Sequence, residues 1–242
     1  MSRNILVTGV SKGLGLEITK TLLENNYNVF GISREFNDSL SELKSIYEKQ
    51  LHWMSYDLEL PENISKTIFK NWIGLDKPLH GFVNNAAFAY DDLVTNINLK
   101  QLERMYRVNV YSPMILVKYV IRQMLLHKVK GSIIHISSIS VHTGYKGLGM
   151  YASSKGALEA FSKNTAREWG SIGVRSNCIV AGFMETEMSA SLSDEQKSRI
   201  YKRTSLKKET SILSVSKTVE FLLSDNSDSI TGQNIFVDSG TI

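Results

Sequence analysis

The chain has 242 residues, a length at which a single α/β domain can bury a sizeable core. Hydrophobic residues make up 42% of it and proline occurs only 3 times, which excludes a disordered or low-complexity protein. The formal charge is +4, but the basic residues are spread along the chain without interleaved aromatic residues, so an ordinary solvated surface is favoured over a nucleic-acid site.

Short apolar runs rich in Val and Ile alternate with segments of helical period along the chain. The predicted strands are, in order, Ile5–Val7, Asn28–Ser33, Leu51–Ser55, His80–Val83, Ser132–Ile136, Val174–Val180 and Asn234–Val237. Strands without a polar face are buried on both sides, which is typical of a parallel sheet between two layers of helices. We therefore expect one doubly wound α/β (Rossmann) domain over residues 1–242, with about seven parallel strands. The polar segment 183–208 interrupts the alternation and predicts a loop excursion over a ligand.

The sequence shows no sign of a membrane, secreted or metal-binding protein. Residues 1–9 pass directly into the first predicted strand without an apolar signal region, and no run of about 18 apolar residues occurs. Cys178 is the only cysteine, so we expect a buried packing residue and no internal disulfide. No His, Cys, Asp and Glu residues stand at metal-ligand spacing. We expect a cytoplasmic protein that needs no metal.

A glycine-rich turn, T-G-V-S-K-G-L-G from Thr8 to Gly15, follows the first predicted strand and opens a helical pattern. Glycine permits positive φ and close approach of a pyrophosphate, whose charge is stabilised by the free N–H groups and dipole of a helix N-terminus. The turn predicts a dinucleotide site; a tight βα turn without a ligand is the alternative. Its candidate cofactor-binding residues are Gly9, Ser11, Lys12, Gly13, Leu14 and Gly15.

The end of the second predicted strand indicates which dinucleotide is bound. Enzymes that use NAD place an acidic residue there, against the ribose hydroxyls. Here Ser33 is followed by Arg34, and Arg34 together with Lys12 would neutralise a 2′-phosphate. Glu35 is the one acidic residue beside them. The pattern predicts a preference for NADPH.

Tyr151 and Lys155 are separated by one helical turn, so the phenol and the ammonium share a helix face. A nearby ammonium favours phenolate, and we expect it to lower the pKa of Tyr151 toward the range of an acid/base catalyst. Ser138 follows an upstream strand, at the edge where parallel sheets build their sites. These three residues predict a site that binds and protonates a substrate oxygen.

The glycine spacing G-x-x-x-G-x-G and the Y-x-x-x-K pair with its upstream serine resemble the short-chain dehydrogenase/reductase family. The resemblance implies catalytic roles for Ser138, Tyr151 and Lys155, with the last two also contacting the cofactor. It implies further cofactor contacts, which are Asp57, Leu58, Asn85, Ala86, Gly182, Met184 and Thr186. Ala87 and Ala181 depart from the family's N-N-A-G and P-G-x-x-x-T patterns. A capping role before a polar helix is the alternative for Thr186.

Asn109 matches the family's fourth catalytic residue, and Pro113 follows it by four positions. A proline inside a helix lacks the N–H that would bond the carbonyl at i−4, so we expect a bent helix and a free Asn109 carbonyl. By the resemblance, that carbonyl holds a water of a proton relay from Tyr151 through Lys155. A polar residue at a helix bend is the alternative interpretation of Asn109.

The resemblance is nearest to 3-oxoacyl-acyl-carrier-protein reductases and implies NADPH-dependent reduction of a ketone to a secondary alcohol. A carrier-bound 3-oxoacyl thioester is the first candidate substrate, and a keto sugar or another small ketone is the alternative. A second alternative is that the chain is a non-catalytic nucleotide-binding module. Lys128, Lys130 and Arg175 would dock an acidic carrier, or they belong to an ordinary solvated surface. Val129 and Ile172 stand where carrier-protein reductases often have basic residues. Two helices carry apolar or small residues that favour burial, Met114–Leu126 and the one from Tyr151. With the resemblance they predict a homo-oligomer, either a dimer or a homotetramer.

Overall fold

A computed structural model describes residues 2–186 and 193–242 of the chain. Within those residues one sheet of seven parallel strands forms the centre of the molecule. The strands are β1 (Asn4–Thr8), β2 (Asn28–Ser33), β3 (Leu51–Ser55), β4 (Gly81–Asn84), β5 (Ser132–Ser138), β6 (Arg175–Ala181) and β7 (Asn234–Val237). Their order across the sheet is 3-2-1-4-5-6-7, which confirms the predicted doubly wound α/β fold.

The helices between the strands follow the predicted alternation. They are α1 (Gly13–Glu24), α2 (Asp38–Ile46), α3 (Leu99–Tyr106), α4 (Ser112–His127), α5 (Ser140–Thr143), α6 (Gly149–Trp169), α7 (Asp194–Arg203) and α8 (Ile212–Leu223). Two segments, Ser65–Ile73 and Arg107–Tyr111, have the wider π-helical turn. No helix in the described part of the chain is long and apolar enough to cross a bilayer.

Each face of the sheet carries its own apolar core, because the strands are hydrophobic on both sides. On one face β1 packs against α1 and α8, for example Ile5 against Ile18 and Val219, all fully buried. On the other face Phe82 of β4 packs among the side chains of α4 and the Ser65–Ile73 segment. Cys178 of β6 is buried, which confirms the packing role, and burial raises the pKa of its thiol to about 12.

The strand order reverses between β1 and β4, so the loops that follow these strands diverge to opposite sides of the sheet. A crevice therefore opens at the carboxyl edge, between the turn after β1 and the loop after β4. The ends of β2, β5 and β6 border the same edge. The fold thus gathers the loops that carry the predicted site residues.

Candidate active site

A cleft of about 700 Å³ occupies this carboxyl edge. It is lined by every predicted cofactor residue, which are Gly9, Ser11, Lys12, Gly13, Leu14, Gly15, Arg34, Asp57, Leu58, Asn85, Ala86, Tyr151, Lys155, Gly182, Met184 and Thr186. Ser138 also lines the cleft, whereas Asn109 is 1% exposed and lies behind its wall. The structure therefore brings together residues that are up to 177 positions apart, from Gly9 to Thr186.

The glycine turn has the geometry of a phosphate cradle. Gly9 and Gly13 have φ of 77° and 54°, a region that favours glycine. A Cβ at Gly15 would lie 1.9 Å from the Gly9 carbonyl oxygen, so only glycine lets the helix approach the turn. Helix α1 begins at Gly13 without a side-chain cap, and its first residues line the cleft, where their N–H groups can bind an anion. These features fit a bound dinucleotide pyrophosphate.

The loop after β4 is tied to the same turn by backbone and side-chain hydrogen bonds. The Thr8 hydroxyl accepts from the N–H groups of Asn85 and Ala86, each at 3.1 Å. The Asn85 amide in turn donates to the Thr8 carbonyl oxygen at 3.0 Å. Ala87, where the family has glycine, has no positive φ, so its methyl group creates no backbone strain. The two loops form one rigid floor beneath the cleft.

The nucleotide end of the cleft carries the predicted basic pair. Arg34 is exposed directly after β2, and Lys12 is the residue before α1. Ser55 fixes the Arg34 backbone by donating to its carbonyl oxygen at 2.9 Å. The Asp57 carboxylate accepts from the Glu59 N–H at 2.9 Å, which orders the loop after β3 beside them. Two cations and an ordered carboxylate thus border the end where an adenosine ribose would lie.

Tyr151 and Lys155 extend from α6 into the other end of the cleft. The Lys155 ammonium is 2% exposed, donates to the Ile136 carbonyl oxygen at 2.8 Å, and lies 5.7 Å from the centre of the Tyr151 ring. Burial lowers the pKa of Lys155 to about 8. The predicted lowering of the Tyr151 pKa is wrong: burial, followed by the Asp91 carboxylate, raises it above its ordinary value. Tyr151 is therefore a protonated phenol at neutral pH.

Ser138 is the last residue of β5, which runs two residues further than predicted. Its hydroxyl oxygen accepts the N–H of Ser140 at 3.2 Å, an interaction that leaves the hydroxyl hydrogen available to a ligand. The neighbouring Ile139 N–H donates to the Ala181 carbonyl oxygen at 3.0 Å, which extends the sheet beyond the strand. Ser138 is thus held by backbone contacts on the wall of the cleft that Tyr151 also lines.

Asn109 connects two parts of the site through its side-chain amide. The amide oxygen accepts the Phe88 N–H at 2.8 Å, and the amide nitrogen donates to the Phe88 carbonyl oxygen at 2.9 Å and to the Ser154 hydroxyl at 3.0 Å. Ser154 is on α6 between Tyr151 and Lys155, so Asn109 fixes the loop after β4 to the helix of the catalytic pair. Neither interpretation of Asn109 from the sequence, as a catalytic residue or as a polar residue at a helix bend, predicted this contact.

The helix around Pro113 is distorted by a π turn. Pro113 lies inside an unbroken helical run that joins α3, the π-helical turn and α4, and without an N–H it cannot donate to the Asn109 carbonyl four residues earlier. Upstream, the chain makes a π-helical turn over Arg107–Tyr111, in which the Ser112 N–H donates to the Arg107 carbonyl oxygen. The predicted position of the proline inside a distorted helix is therefore confirmed. A water held by the Asn109 carbonyl stays a prediction.

The loop after β6 closes over the glycine turn. A Cβ at Gly182 would lie 2.2 Å from the Thr210 hydroxyl, so this position requires glycine. The Thr186 side chain lies within 4 Å of where a Cβ at Gly13 would stand, on the phosphate turn. The polar helix α7 is capped by Ser193 through a capping box with Gln196, and not by Thr186. The predicted excursion 183–208 includes residues 187–192, which lie outside the described residues.

Several residues of the substrate end were not predicted from sequence. They are Phe88, Asp91, Arg104, Tyr145, Lys146, Ile200 and Arg203. Arg104 forms a 2.5 Å ion pair with Glu59 and packs 4.4 Å over the Phe88 ring. Burial raises the pKa of the Asp91 carboxyl. These positions come from two separate loops, α3 and α7, so no local spacing in the sequence marks them.

The three basic residues considered for docking a carrier lie at the edge of the sheet opposite the cleft. Lys128 and Lys130 precede β5, and Arg175 begins β6, so all three border the amino edge of the sheet. Arg175 also donates to the Ser224 carbonyl oxygen at 3.1 Å. The seven residues of β5 separate that edge from Ser138 by about 20 Å. A carrier docked there would face away from the cleft.

Comparison with known proteins agrees with this architecture. The family model described as "Enoyl-(Acyl carrier protein) reductase" matches residues 9–241. The 3-oxoacyl-[acyl-carrier-protein] reductase FabG of Chlamydia trachomatis is 31% identical over 99% of this chain and 97% of its own length. L-xylulose reductase of Caenorhabditis elegans is 30% identical over 98% of this chain and 95% of its own.

A solved structure of ElxO with NADP bound superposes on the whole chain. The TM-score is 0.90 at 27% sequence identity, and the match covers 100% of this chain and 99% of the other. The chain thus shares a family model, full-length relatives and a full-length fold, together with a cleft that gathers the glycine turn and the Ser-Tyr-Lys set. The chain belongs to the short-chain dehydrogenase/reductase family and is an oxidoreductase.

Proposed function

We propose that the protein uses NADPH to reduce a ketone to a secondary alcohol. The observation that carries the proposal is one continuous cleft with a phosphate cradle at one end and Ser138, Tyr151 and Lys155 at the other. A dinucleotide that lies along this cleft brings its nicotinamide to the three side chains. The ElxO structure, in which NADP is bound, supports this placement of the cofactor.

The nucleotide end supports NADPH over NADH. Arg34 and Lys12 supply two cations, and charge-assisted hydrogen bonds to a phosphate contribute roughly twice as much as neutral ones. The residue that directly follows β2 is Arg34, where an NAD enzyme has a carboxylate. Glu35 follows it, but the Ser33 hydroxyl donates to the Glu35 carbonyl oxygen, which fixes its backbone. The 2′-phosphate would be held by Arg34 and Lys12.

The substrate end supplies the proton and orients the reacting oxygen. NADPH supplies the hydride for the carbonyl carbon. Tyr151 donates its proton to the carbonyl oxygen as negative charge develops there, and its raised pKa keeps that proton in place at neutral pH. Ser138 donates a hydrogen bond to the same oxygen. Lys155 would contact the nicotinamide ribose and stabilise the tyrosine after proton transfer, and the Asn109 carbonyl would hold a relay water.

A 3-oxoacyl thioester on an acidic carrier protein is the first candidate substrate. The FabG relatives support it. Cations at the mouth of the cleft also support it, because Arg203 of α7 lines the cleft and Lys202 beside it is exposed. A carrier docked on α7 would present its thioester to Tyr151. We therefore propose α7 as the docking surface, in place of the basic residues Lys128, Lys130 and Arg175 at the opposite edge of the sheet.

A keto sugar is the second candidate, and one carboxylate favours it. Asp91 lines the substrate end and is close enough to influence Tyr151. A carboxylate accepts hydrogen bonds from sugar hydroxyls, whereas an acyl chain offers none. The similarity to L-xylulose reductase supports this alternative.

The test is a substrate panel with purified protein. NADPH oxidation would be measured with acetoacetyl thioester, free and carrier-bound, with L-xylulose and simple ketones, and with crotonyl thioester as the matched enoyl compound. We expect turnover of a ketone and none of the crotonyl compound, because the Ser138 and Tyr151 hydroxyl groups would both bond the oxygen of the carbonyl that is reduced. Faster turnover of the carrier-bound thioester, lost in Arg203→Glu, would identify the first candidate. Reduction of crotonyl thioester alone would contradict carbonyl reduction.

We also propose that the chain forms a homo-oligomer. Leu125 and Leu126 of α4 are 41% and 61% exposed, and Tyr111, directly before the helix, is 51% exposed. Exposed large apolar side chains on one helix are typical of a surface that a second copy covers. A monomeric mass in light scattering would contradict the proposal.

A further inference from the structure

Glu159 is a buried carboxylate on the helix that carries the Tyr-Lys pair. Tyr151, Lys155 and Glu159 follow one another at intervals of four on α6, and Glu159 is 6% exposed. A buried carboxylate is destabilising unless its oxygens accept hydrogen bonds. Neither the glycine turn nor the Ser-Tyr-Lys chemistry requires an acid at this position, so its partners indicate its role.

Three side chains from three different elements donate to this carboxylate. The Ser137 hydroxyl at the end of β5 donates to Oε1 at 2.5 Å. Asn234 of β7 donates from its amide to Oε2 at 2.6 Å. His142 of α5 places Nε2 at 3.2 Å from Oε1 and 3.1 Å from Oε2. The His142 ring also packs edge-on against the Phe236 ring at 5.0 Å.

Two of these donors flank Ser138 in the chain. Ser137 directly precedes Ser138, and His142 follows it by four residues. One carboxylate on α6 therefore holds the segment that carries Ser138 from both sides. The same helix fixes Tyr151, so Glu159 links the two hydroxyl groups that must converge on one oxygen.

We infer that Glu159 is a positioning residue for carbonyl reduction, one that sets Ser138 relative to Tyr151. The inference rests on the function proposed above. Hydrogen bonding of one oxygen by two hydroxyls depends on their separation, and a displacement of about 1 Å can cost about 100-fold in rate. Without the carboxylate, Ser138 would still be present but would no longer be held at the required distance from Tyr151.

Glu159→Gln is the variant that tests this directly. It keeps the side-chain length but replaces one oxygen by an NH₂ group, which faces the donors of Asn234 and His142 instead of accepting from them. We expect kcat for the ketone to fall about 10- to 100-fold. The Kd of NADPH, measured by fluorescence, should stay within twofold, because no cofactor residue is touched.

A double-mutant cycle separates positioning from general destabilisation. If Glu159 acts through Ser138, Glu159→Gln should cost less than twofold in kcat once Ser138→Ala has already been made. The matched control is Ser162→Ala, which removes a buried hydroxyl of the same helix that is bonded to Ser176 at 2.8 Å. Its effect on kcat should be the same with and without Ser138→Ala. His142→Phe, which keeps the packing on Phe236, is the substitute variant if Glu159→Gln fails to fold. Its effect on kcat should likewise disappear once Ser138→Ala has been made.

The outcomes distinguish the inference from the function on which it rests. If Glu159→Gln lowers kcat by the same factor with and without Ser138→Ala, the two substitutions act independently. That result would overturn the positioning role and leave carbonyl reduction intact. Wild-type turnover of Ser138→Ala would overturn the proposed chemistry and the positioning role together. Dependence of both Glu159→Gln and His142→Phe on Ser138 would support the assignment.

Discussion

The two ends of the cleft are built in different ways. The nucleotide end consists mainly of backbone: a glycine turn, a helix N-terminus, and a loop held by hydrogen bonds between Asn85 and Thr8. The substrate end consists of side chains from separate loops and α7, with charged residues such as Asp91 and Arg203 among them. A backbone site requires particular residue types at fixed spacing, whereas a side-chain site requires only that distant residues meet. The glycine turn and the Tyr151–Lys155 pair, each within one segment, are therefore recognisable in a sequence, whereas the other residues of the substrate end are not.

The largest expected effect is at Tyr151, in the substrate half. Tyr151→Phe removes only the proton donor, so we expect kcat for ketone reduction to fall by about 10³-fold, within the range for general acid catalysis. The NADPH Kd should not change, because the nucleotide half is intact. Steady-state kinetics and fluorescence titration would measure the two effects.

The control is Tyr106→Phe, which removes a phenol hydroxyl that is bonded to Ser153 of α6 outside the cleft. It should leave kcat within a few-fold of wild type. Equal losses in the two variants would indicate that any perturbation of α6 stops turnover and that Tyr151 has no special role.

The next effect is confined to the nucleotide half. Arg34→Asp replaces a cation by an anion beside the 2′-phosphate, and we expect the ratio of kcat/KM for NADPH to that for NADH to fall about 100-fold. Ketone KM should be unchanged. Arg122→Asp makes the same charge change on the exposed side of α4 and should not alter the ratio. An unchanged ratio in Arg34→Asp would remove the basis for NADPH preference.

The last expected effect concerns stability rather than rate and arises at Lys155, in the substrate half. Burial lowers its pKa to about 8 from an ordinary 10.5, so the unfolded chain binds more protons between these values. The free energy of unfolding should therefore rise with pH from about 8 to 10.5, and below pH 8 the buried ammonium is destabilising. Lys155→Met should remove this slope and stabilise the protein at pH 7 by up to about 3 kcal/mol, while turnover is lost.

Chemical denaturation across this pH range measures the slope. Lys163→Met, on the exposed side of the same helix, should retain it and shift stability by less than about 0.5 kcal/mol. A slope that persisted in Lys155→Met would show that another group titrates in this window.

The sequence predicted the elements and the site unequally, for physical reasons. β2, β3 and β7 have the predicted bounds, because their apolar runs end at polar turns. All predicted cofactor residues and Ser138 line one cleft, since each is near the carboxyl end of a strand or on α6. The direction of the Tyr151 pKa shift was wrong, because burial and the Asp91 carboxylate depend on tertiary packing. The Glu159 contacts join β5, α5 and β7, and no spacing within one segment could have indicated them.

The most direct test of the central claim follows the hydride itself. NADPH that carries deuterium on one or the other face of C4 of the nicotinamide would be incubated with the protein and its best ketone substrate, and the product analysed by mass spectrometry and NMR. We predict that deuterium from one face alone appears on the carbinol carbon, because a single cleft holds the nicotinamide in one orientation beside Ser138 and Tyr151. A product without deuterium at that carbon, or labelled equally from both faces, would contradict the account.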